Sequence, residues 1–301
     1  MFPTRILLAS DGSKGARRAA QCAAELSLKL ESELHVVYVA PEYPYLYASH
    51  GVAYREDVNR KGDEDKQTLD GCVQQVREAG GTVARGHLGR GDAAGEIVEL
   101  AEGLRVGLVV LGSRGHGLLG RALMGSVSTG VLRHAHCSVL IVRGHEDERE
   151  SSWGKLLVAV DGSEEATAAE QAAMEIAGAL GSEVHVAYAL QEGRYKPHLG
   201  PEMWEGWQED LERAKRSARS WVEEEARRMR GEGTIGVEPH LLVGRPDAAI
   251  VWLAEEMGAG LVLVGSRGLG AMKRALIGGV SDSVARHAHC PVMVVRNDQE
   301  G

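Results

Sequence analysis

The amino-acid sequence contains two copies of one repeated unit, and this duplication limits the folds that the chain can adopt. Residues 6–13 (ILLASDGS) return 150 residues later as 156–163 (LLVAVDGS). Residues 112–143 return 153 residues later as 265–296, with 20 of 32 positions identical. This period indicates a duplicated domain, because solenoid repeats span only about 20–50 residues.

A charged segment separates the two copies. Residues 144–152 (GHEDERESS) contain no apolar side chain, which is typical of a linker. We therefore predict one domain over residues 1–145, a linker over 146–152 and a second domain over 153–301. The total of 301 residues suits two domains of ordinary size.

Strand-like and helix-like patterns alternate within each copy. In the first copy, strands are predicted near residues 4–10, 34–40, 82–88, 107–112 and 138–143, and helices near 14–31, 62–79, 93–105 and 126–135. This alternation predicts an α/β fold of two tandem Rossmann-like domains, each a five-stranded parallel sheet with helices on both faces. Ligands of such sheets bind beyond the carboxyl ends of the strands.

Charge and composition narrow the classes of function. A net charge of −9 argues against a nucleic-acid-binding surface. The four cysteines form no Cys-x-x-Cys pair, so we expect buried thiols in a reducing compartment. No apolar run approaches the roughly 18 residues that span a bilayer, and the opening segment is predicted to be a strand instead of a signal peptide. We expect a cytoplasmic protein that binds neither membrane nor nucleic acid.

A glycine-rich loop follows the fourth predicted strand of each copy. It reads Gly-Ser-Arg-Gly, then nine residues, then Gly-Ser in residues 112–126 and Gly-Gly in residues 265–279. Glycines let the backbone approach a ligand closely, and the N–H groups at the start of the next helix favour an anion. The alternative is a loop that merely permits tight packing of strand and helix. Its recurrence in both copies favours phosphate binding.

An aspartate ends the first predicted strand of each copy. Asp11 and Asp161 both stand in an Asp-Gly-Ser turn. A carboxylate there either accepts hydrogen bonds from a ribose or adenine, or caps the following helix. Since Ser13 and Ser163 fit the capping role better, we assign the aspartates to the ligand.

Together these motifs resemble those of the universal stress protein family. Both halves carry the aspartate, the glycine pattern and a closing His-Cys-x-Val-x-x-Val-Arg. The resemblance implies the adenine-nucleotide-binding universal stress protein fold, ATP as ligand, often with Mg²⁺, and a non-catalytic, nucleotide-dependent role in the stress response. In the first copy it implies adenosine contacts from Asp11 and Val39, and phosphate contacts from Gly112, Gly115, Gly125 and Ser126.

The second copy departs from the family pattern at two positions. It keeps Asp161, Gly265, Gly268 and Gly278, but Ala189 replaces the valine and Gly279 replaces the serine. Losing one hydroxyl hydrogen bond, worth about 0.5–1.5 kcal/mol, predicts up to roughly tenfold weaker binding. The loop arginines, Arg114 and Arg267, have two open roles, which are contact with phosphate and projection into solvent.

Neither a metal site nor a catalytic residue is predicted. The repeated His-Ala-His-Cys stretch, 134–137 and 287–290, presents possible zinc ligands, but it also fits a helix C-terminus followed by a buried cysteine, which we favour. The sequence contains neither Ser-Gly-Gly-x-Asp-Ser nor His-x-Gly-His, the motifs of related ATP-using enzymes. Slow ATP hydrolysis and a nucleotide-free interaction scaffold are the alternative functions.

The last predicted strand of each copy is apolar. Residues 139–142 (VLIV) and 292–295 (VMVV) would leave an apolar edge exposed in an isolated domain. The family resemblance implies pairing through these strands, so we predict that the two halves pair within one chain. A further homodimer is also possible.

Overall fold

Two compact units make up the chain. The computed structural model describes residues 3–42, 52–113, 124–143, 153–192, 204–231, 233, 235–268 and 277–297. The described residues of the first unit lie within positions 1–149, and those of the second lie within positions 150–300.

The first unit is a parallel five-stranded sheet with four helices in its described part. The strands are β1 (Arg5–Ala9), β2 (Glu33–Ala40), β3 (Arg85–Arg90), β4 (Leu108–Gly112) and β5 (Ser138–Val142). The helices are α1 (Lys14–Lys29), α2 (Val52–Glu78), α3 (Ala93–Gly103) and α4 (Ser126–His134). The strand order is β3-β2-β1-β4-β5, so the chain reverses direction across the sheet between β1 and β4. A ligand crevice is expected at this reversal.

The second unit repeats this arrangement. Its strands are β6 (Lys155–Ala159), β7 (Glu183–Leu190), β8 (Val237–Val243), β9 (Leu261–Gly265) and β10 (Val292–Val295). Its helices are α5 (Glu164–Leu180), α6 (Trp204–Arg230), α7 (Pro246–Glu256) and α8 (Gly279–His287). The order β8-β7-β6-β9-β10, again parallel, places the reversal between β6 and β9.

The central strands are buried on both faces. Ile6, Leu7 and Leu8 are fully buried, as are Val109 and Val110. Because successive side chains of a strand point to opposite faces, this uninterrupted burial means that both faces of the sheet are covered. The predicted α/β class and the five-stranded parallel sheets are confirmed.

Two predicted element boundaries are wrong. The helix predicted over 62–79 begins ten residues earlier, at Val52, so that Gly62 lies inside the helix and not at its start. A side chain at Gly62 would meet nothing within 4 Å, so this glycine carries only a helix-propensity penalty of about 1 kcal/mol. The strand predicted over 82–88 is instead Arg85–Arg90, because its bounds follow its pairing with β2. Within the described residues, no helix is long and apolar enough to cross a membrane.

Candidate functional site

The aspartate turns lie at the carboxyl ends of β1 and β6. Gly12 and Gly162 have φ of +75° and +83°, a left-handed conformation that glycine adopts without strain. Ser13 and Ser163 are the N-caps of α1 and α5, as predicted, and accept hydrogen bonds from the amides of Ala16 and Ala166.

The aspartates are not free of these turns, contrary to our expectation. Asp11 Oδ1 accepts from the Ser13 amide at 3.0 Å, and Asp161 Oδ1 accepts from the Ser163 amide at 3.1 Å and its hydroxyl at 2.6 Å. An aspartate two residues before an amide readily forms this local hydrogen bond. In the second unit the other oxygen, Asp161 Oδ2, faces Gly268. A Cβ added to this glycine would lie 2.3 Å from that oxygen. One carboxylate oxygen therefore holds the turn while the other faces the glycine loop.

The glycine loops are closed by short backbone hydrogen bonds. The Gly125 amide donates to the Ser113 carbonyl at 2.8 Å, and the Gly278 amide donates to the Ser266 carbonyl at 2.7 Å. These two glycines are the N-caps of α4 and α8, and no described side chain caps either helix. Ser126 is thus the first helical residue and not the cap. The amides of the first turn stay available to an anion.

In each unit, one buried serine that the sequence analysis missed joins the loop helix to the preceding strand. Ser128 Oγ donates to the Gly112 carbonyl at 2.8 Å, and Ser281 Oγ donates to the Gly265 carbonyl at 2.6 Å. They hold the helix N-terminus beside the strand end that carries the first glycine of the pattern. The signal for them is their identity in both copies, two residues after the Gly-Ser or Gly-Gly pair.

The glycines of the second loop have different roles. A Cβ on Gly265 would lie 2.7–2.9 Å from backbone atoms of Glu165 and Ala166, so this glycine lets β9 pack tightly against α5. This is the packing role named above as the alternative to ligand contact. A Cβ on Gly268 would instead collide with Asp161, and one on Gly279 would meet nothing within 4 Å.

A cavity of about 360 Å³ lies at the carboxyl ends of the strands in the second unit. Its lining includes all seven residues predicted for this copy, namely Asp161, Ala189, Gly265, Arg267, Gly268, Gly278 and Gly279. The remainder is largely apolar and includes side chains that the sequence analysis did not assign, among them Tyr188, Leu190, Pro246 and Ile250. The Tyr188 ring packs edge-on against Trp221 of α6, with centroids 5.0 Å apart.

The first unit places its predicted residues at equivalent points of the fold. Asp11 follows β1, Val39 lies in β2, Gly112 ends β4, and Gly125 and Ser126 begin α4. Arg114 and Gly115 lie outside the described residues.

An ion pair distinguishes the second loop. Arg267 Nε lies 2.9 Å from Glu165 Oε1, with the two side chains 29% and 16% exposed. Arg267 thus lines the cavity and also pairs with a carboxylate, an arrangement that neither of its two expected roles described. The position of Glu165 in the first copy is Gly15, which has no charge. Arg267 of the second loop therefore has a carboxylate partner at a position where the first copy has glycine.

The His-Ala-His-Cys stretch of the second copy does not assemble into one site. His287 Nδ1 donates to the Ser283 carbonyl of its own helix at 2.7 Å, whereas His289 Nε2 lies 3.7 Å from Glu255 Oε2 of α7. The equivalent pair in the first copy joins His136 to Glu102 at 3.8 Å. These histidines have separate partners at helix ends. The cysteine that follows them is buried in the first copy, Cys137, but only partly buried in the second, Cys290.

Comparison with known proteins gives a consistent result. The model of the universal stress protein family matches residues 3–143 and 152–296. A universal stress protein of Mycolicibacterium smegmatis is 30% identical over 263 residues, covering 87% of this chain and 84% of the relative. One from Mycobacterium tuberculosis is 27% identical over 320 aligned positions, covering 98% of this chain and 96% of the relative.

Solved structures share the fold. The crystal structure of a universal stress protein from Archaeoglobus fulgidus covers 98% of this chain and 99% of its own, at 24% identity and a TM-score of 0.68. A functionally unknown protein of Pseudomonas aeruginosa covers 98% and 93%, at 19% identity and a TM-score of 0.63. The predicted family resemblance and its tandem arrangement are confirmed.

Proposed function

The chain belongs to the universal stress protein family, and from that premise we propose that it binds ATP in both units as a non-catalytic, nucleotide-dependent regulator of the stress response. One observation carries the proposal. Residues predicted from the sequence motifs and the family resemblance, and separated by up to 118 positions (Asp161 to Gly279), line one cavity of the second unit. A loop that serves only packing would not require Asp161 and Ala189 to meet it there.

The lining of this cavity offers both apolar and polar contacts. Tyr188, Leu190, Pro246 and Ile250 are apolar contacts that suit an adenine ring. The uncapped N-terminus of α8 and the guanidinium of Arg267 suit phosphate oxygens. Asp161 lies between the turn and the glycine loop and offers an acceptor to a hydroxyl or an amine. The arrangement therefore matches the parts of a nucleoside triphosphate.

We propose Mg²⁺ as the companion of the triphosphate. Magnesium in nucleotide sites is held mainly by phosphate oxygens, waters and one or two carboxylates. Because Asp11, and by equivalence Asp161, is assigned to the adenosine end, phosphate oxygens and waters at the N-terminus of the loop helix would hold the ion. When bound, the ion would neutralise phosphate charge there.

The described lining offers little to activate water. It contains no histidine, lysine, cysteine or glutamate, and Asp161 Oδ1 is already engaged by Ser163. Hydrolysis of a γ-phosphate requires an oriented nucleophile and stabilisation of the leaving charge. This supports binding without rapid turnover, and a slow ATPase is the alternative that the experiment below separates.

We further propose that the halves pair within one chain through their last strands. In each unit that strand is terminal in the unit's strand order, and it is apolar except for Ser138. Small-angle scattering should then fit a single compact particle, whereas two independently moving domains would contradict the pairing. A cytoplasmic location, which we also propose, fits the four cysteines, none of which forms a disulfide.

Nucleotide recovery tests the function directly. Protein purified without added ATP is denatured, and the released small molecules are identified by mass spectrometry. We expect adenine nucleotide in the wild type and none in the Gly115→Val, Gly268→Val double variant. No recovered nucleotide, together with no calorimetric ATP binding, would refute the proposal in favour of a nucleotide-free scaffold. Phosphate release over hours that disappears in the double variant would establish the slow ATPase instead.

A further inference from the structure

A pair of histidines joins the second and third strands of each sheet. In the first unit His35 Nδ1 lies 3.0 Å from His87 Nε2, and in the second His185 Nδ1 lies 2.9 Å from His240 Nε2. His35 and His185 are only 6% and 5% exposed. Both stand at the third residue of their strand, toward the end opposite to the nucleotide crevice. The nucleotide does not explain these pairs.

The second unit adds a carboxylate to its pair. Glu238 Oε2 lies 3.5 Å from His185 Nδ1, and the donor atoms of His185, Glu238 and His240 all lie within 4.8 Å of one another. The strand register places Glu238 opposite His185, whereas Arg85 stands opposite His35 in the first unit. The two units therefore share the histidines and differ in the sign of the third group.

A second observation concerns His185 Nε2, the ring nitrogen that does not contact His240. His185 Nε2 is buried, and within the described residues it has no hydrogen-bond partner. Glu183 Oε2 lies 3.8 Å from it. Metal-bound histidines commonly present their other ring N–H to a carboxylate, which fixes the tautomer.

We propose that His185, His240 and Glu238 bind a divalent transition-metal ion of the Zn²⁺ type, and that the first unit does not. Two imidazoles and one carboxylate with a water in the fourth position are a common zinc ligand set. Zinc–nitrogen bonds of about 2.0–2.1 Å require the two ring nitrogens to separate from 2.9 Å to roughly 3.3 Å, a small movement. Glu238 is exposed and His240 half-buried, which gives the ion a way in.

Binding of the metal ion requires no net release of a proton from the two histidines. In the metal-free pair one of the two facing nitrogens carries a hydrogen, and both must offer a lone pair to the ion. The ring that carried that hydrogen therefore changes to its other tautomer, so that His185 bears its proton on Nε2, beside Glu183. In the first unit the guanidinium of Arg85 would repel the same ion.

Zinc titration of the full-length chain tests this site without reference to nucleotide. Chelator-stripped protein without ATP is titrated against a chromophoric zinc chelator at pH 7.5. We expect one tightly bound ion per chain, at least tenfold weaker binding for Glu238→Arg, which copies the first unit, and loss of the site in His240→Gln. His289→Gln, which alters an exposed histidine elsewhere, should leave binding unchanged.

A gain of function keeps the test independent of folding defects. Arg85→Glu should create the equivalent site in the first unit and raise the stoichiometry from one ion to two. Cobalt substitution should give a d–d spectrum without thiolate charge transfer, since no cysteine is a ligand. Wild-type binding that persists in both Glu238→Arg and His240→Gln would overturn the proposal, as would a folded Arg85→Glu variant that takes up no second ion. No tight binding in the wild type would overturn it as well.

Discussion

Gly268 lies so close to Asp161 that a Cβ on residue 268 would stand 2.3 Å from Asp161 Oδ2. The carboxylate cannot turn away freely, because its other oxygen accepts two hydrogen bonds from Ser163. The glycine loop and the aspartate turn, 107 residues apart in the sequence, therefore fit against each other only because residue 268 has no side chain. This contact is where substitution should most directly damage the second site.

Gly268→Ala should remove the second nucleotide site. The added methyl group must displace the Asp161 carboxylate, which has little freedom to move. We expect calorimetric titration to show one bound ATP per chain instead of two. Gly236→Ala is the matched control, since a Cβ there meets nothing within 4 Å. Two unchanged sites in Gly268→Ala would show that Asp161 does not contribute to binding.

Gly279→Ser should strengthen the second site. Nothing lies within 4 Å of a Cβ at this position, so the side chain fits without rearrangement. One hydroxyl hydrogen bond is worth about 0.5–1.5 kcal/mol, which predicts a gain of roughly 2- to 13-fold in ATP affinity. The reciprocal Ser126→Gly should weaken the first site by a similar factor. If neither variant changes affinity, the backbone amides alone hold the phosphates.

Glu165→Gln should also improve ATP binding in the second unit. The substitution frees Arg267 from its ion pair and removes one negative charge from the loop. Partly exposed pairs are worth up to about 1 kcal/mol, so we expect a two- to fivefold gain that shrinks at high salt. Arg267→Ala, measured alongside, should bind more weakly than the wild type. A gain that is independent of salt would contradict the electrostatic explanation.

Gly265→Ala should destabilise the second unit. Its Cβ would meet backbone atoms of Glu165 and Ala166 at 2.7–2.9 Å, and backbone cannot rotate aside. Overpacking of this kind costs about 1–3 kcal/mol, which urea denaturation would measure. Gly103→Ala, in open space at the end of α3, should be neutral or slightly stabilising. A wild-type midpoint for Gly265→Ala would mean that β9 and α5 separate easily.

The first unit should lose stability in mild acid through His87. Burial, followed by the neighbouring His35 and Arg85, lowers the pKa of His87 from its ordinary value of 6.5. Between 6.5 and that lowered pKa the unfolded chain binds the proton more readily, so the stabilisation present above pH 6.5 is lost as the pH falls. His87→Gln should reduce this loss when urea denaturation at pH 7.5 and 5.5 is compared with the wild type. An equal loss in both proteins would contradict the assignment.

Most of the fold could be predicted from local patterns. Apolar runs, glycine turns and the repeat are properties of neighbouring residues, and they place the strands, the α/β class and the serine caps correctly. The start of α2 and the bounds of β3 could not be predicted in this way. The predicted start of α2 is ten residues too late, and β3 is a polar strand whose limits are set by its partner β2.

The sequence by itself determined that two α/β domains are present, that each carries a glycine loop and an aspartate turn, and that the second lacks the serine. Only the tertiary structure decided what each of these residues does. Gly265 packs against backbone, Gly268 accommodates Asp161, and Arg267 pairs with Glu165. The His185–His240 pair is likewise formed by residues 55 positions apart. The physical reason is that contact depends on strand order and register, which bring distant residues within a few ångströms, and no local spacing encodes those distances.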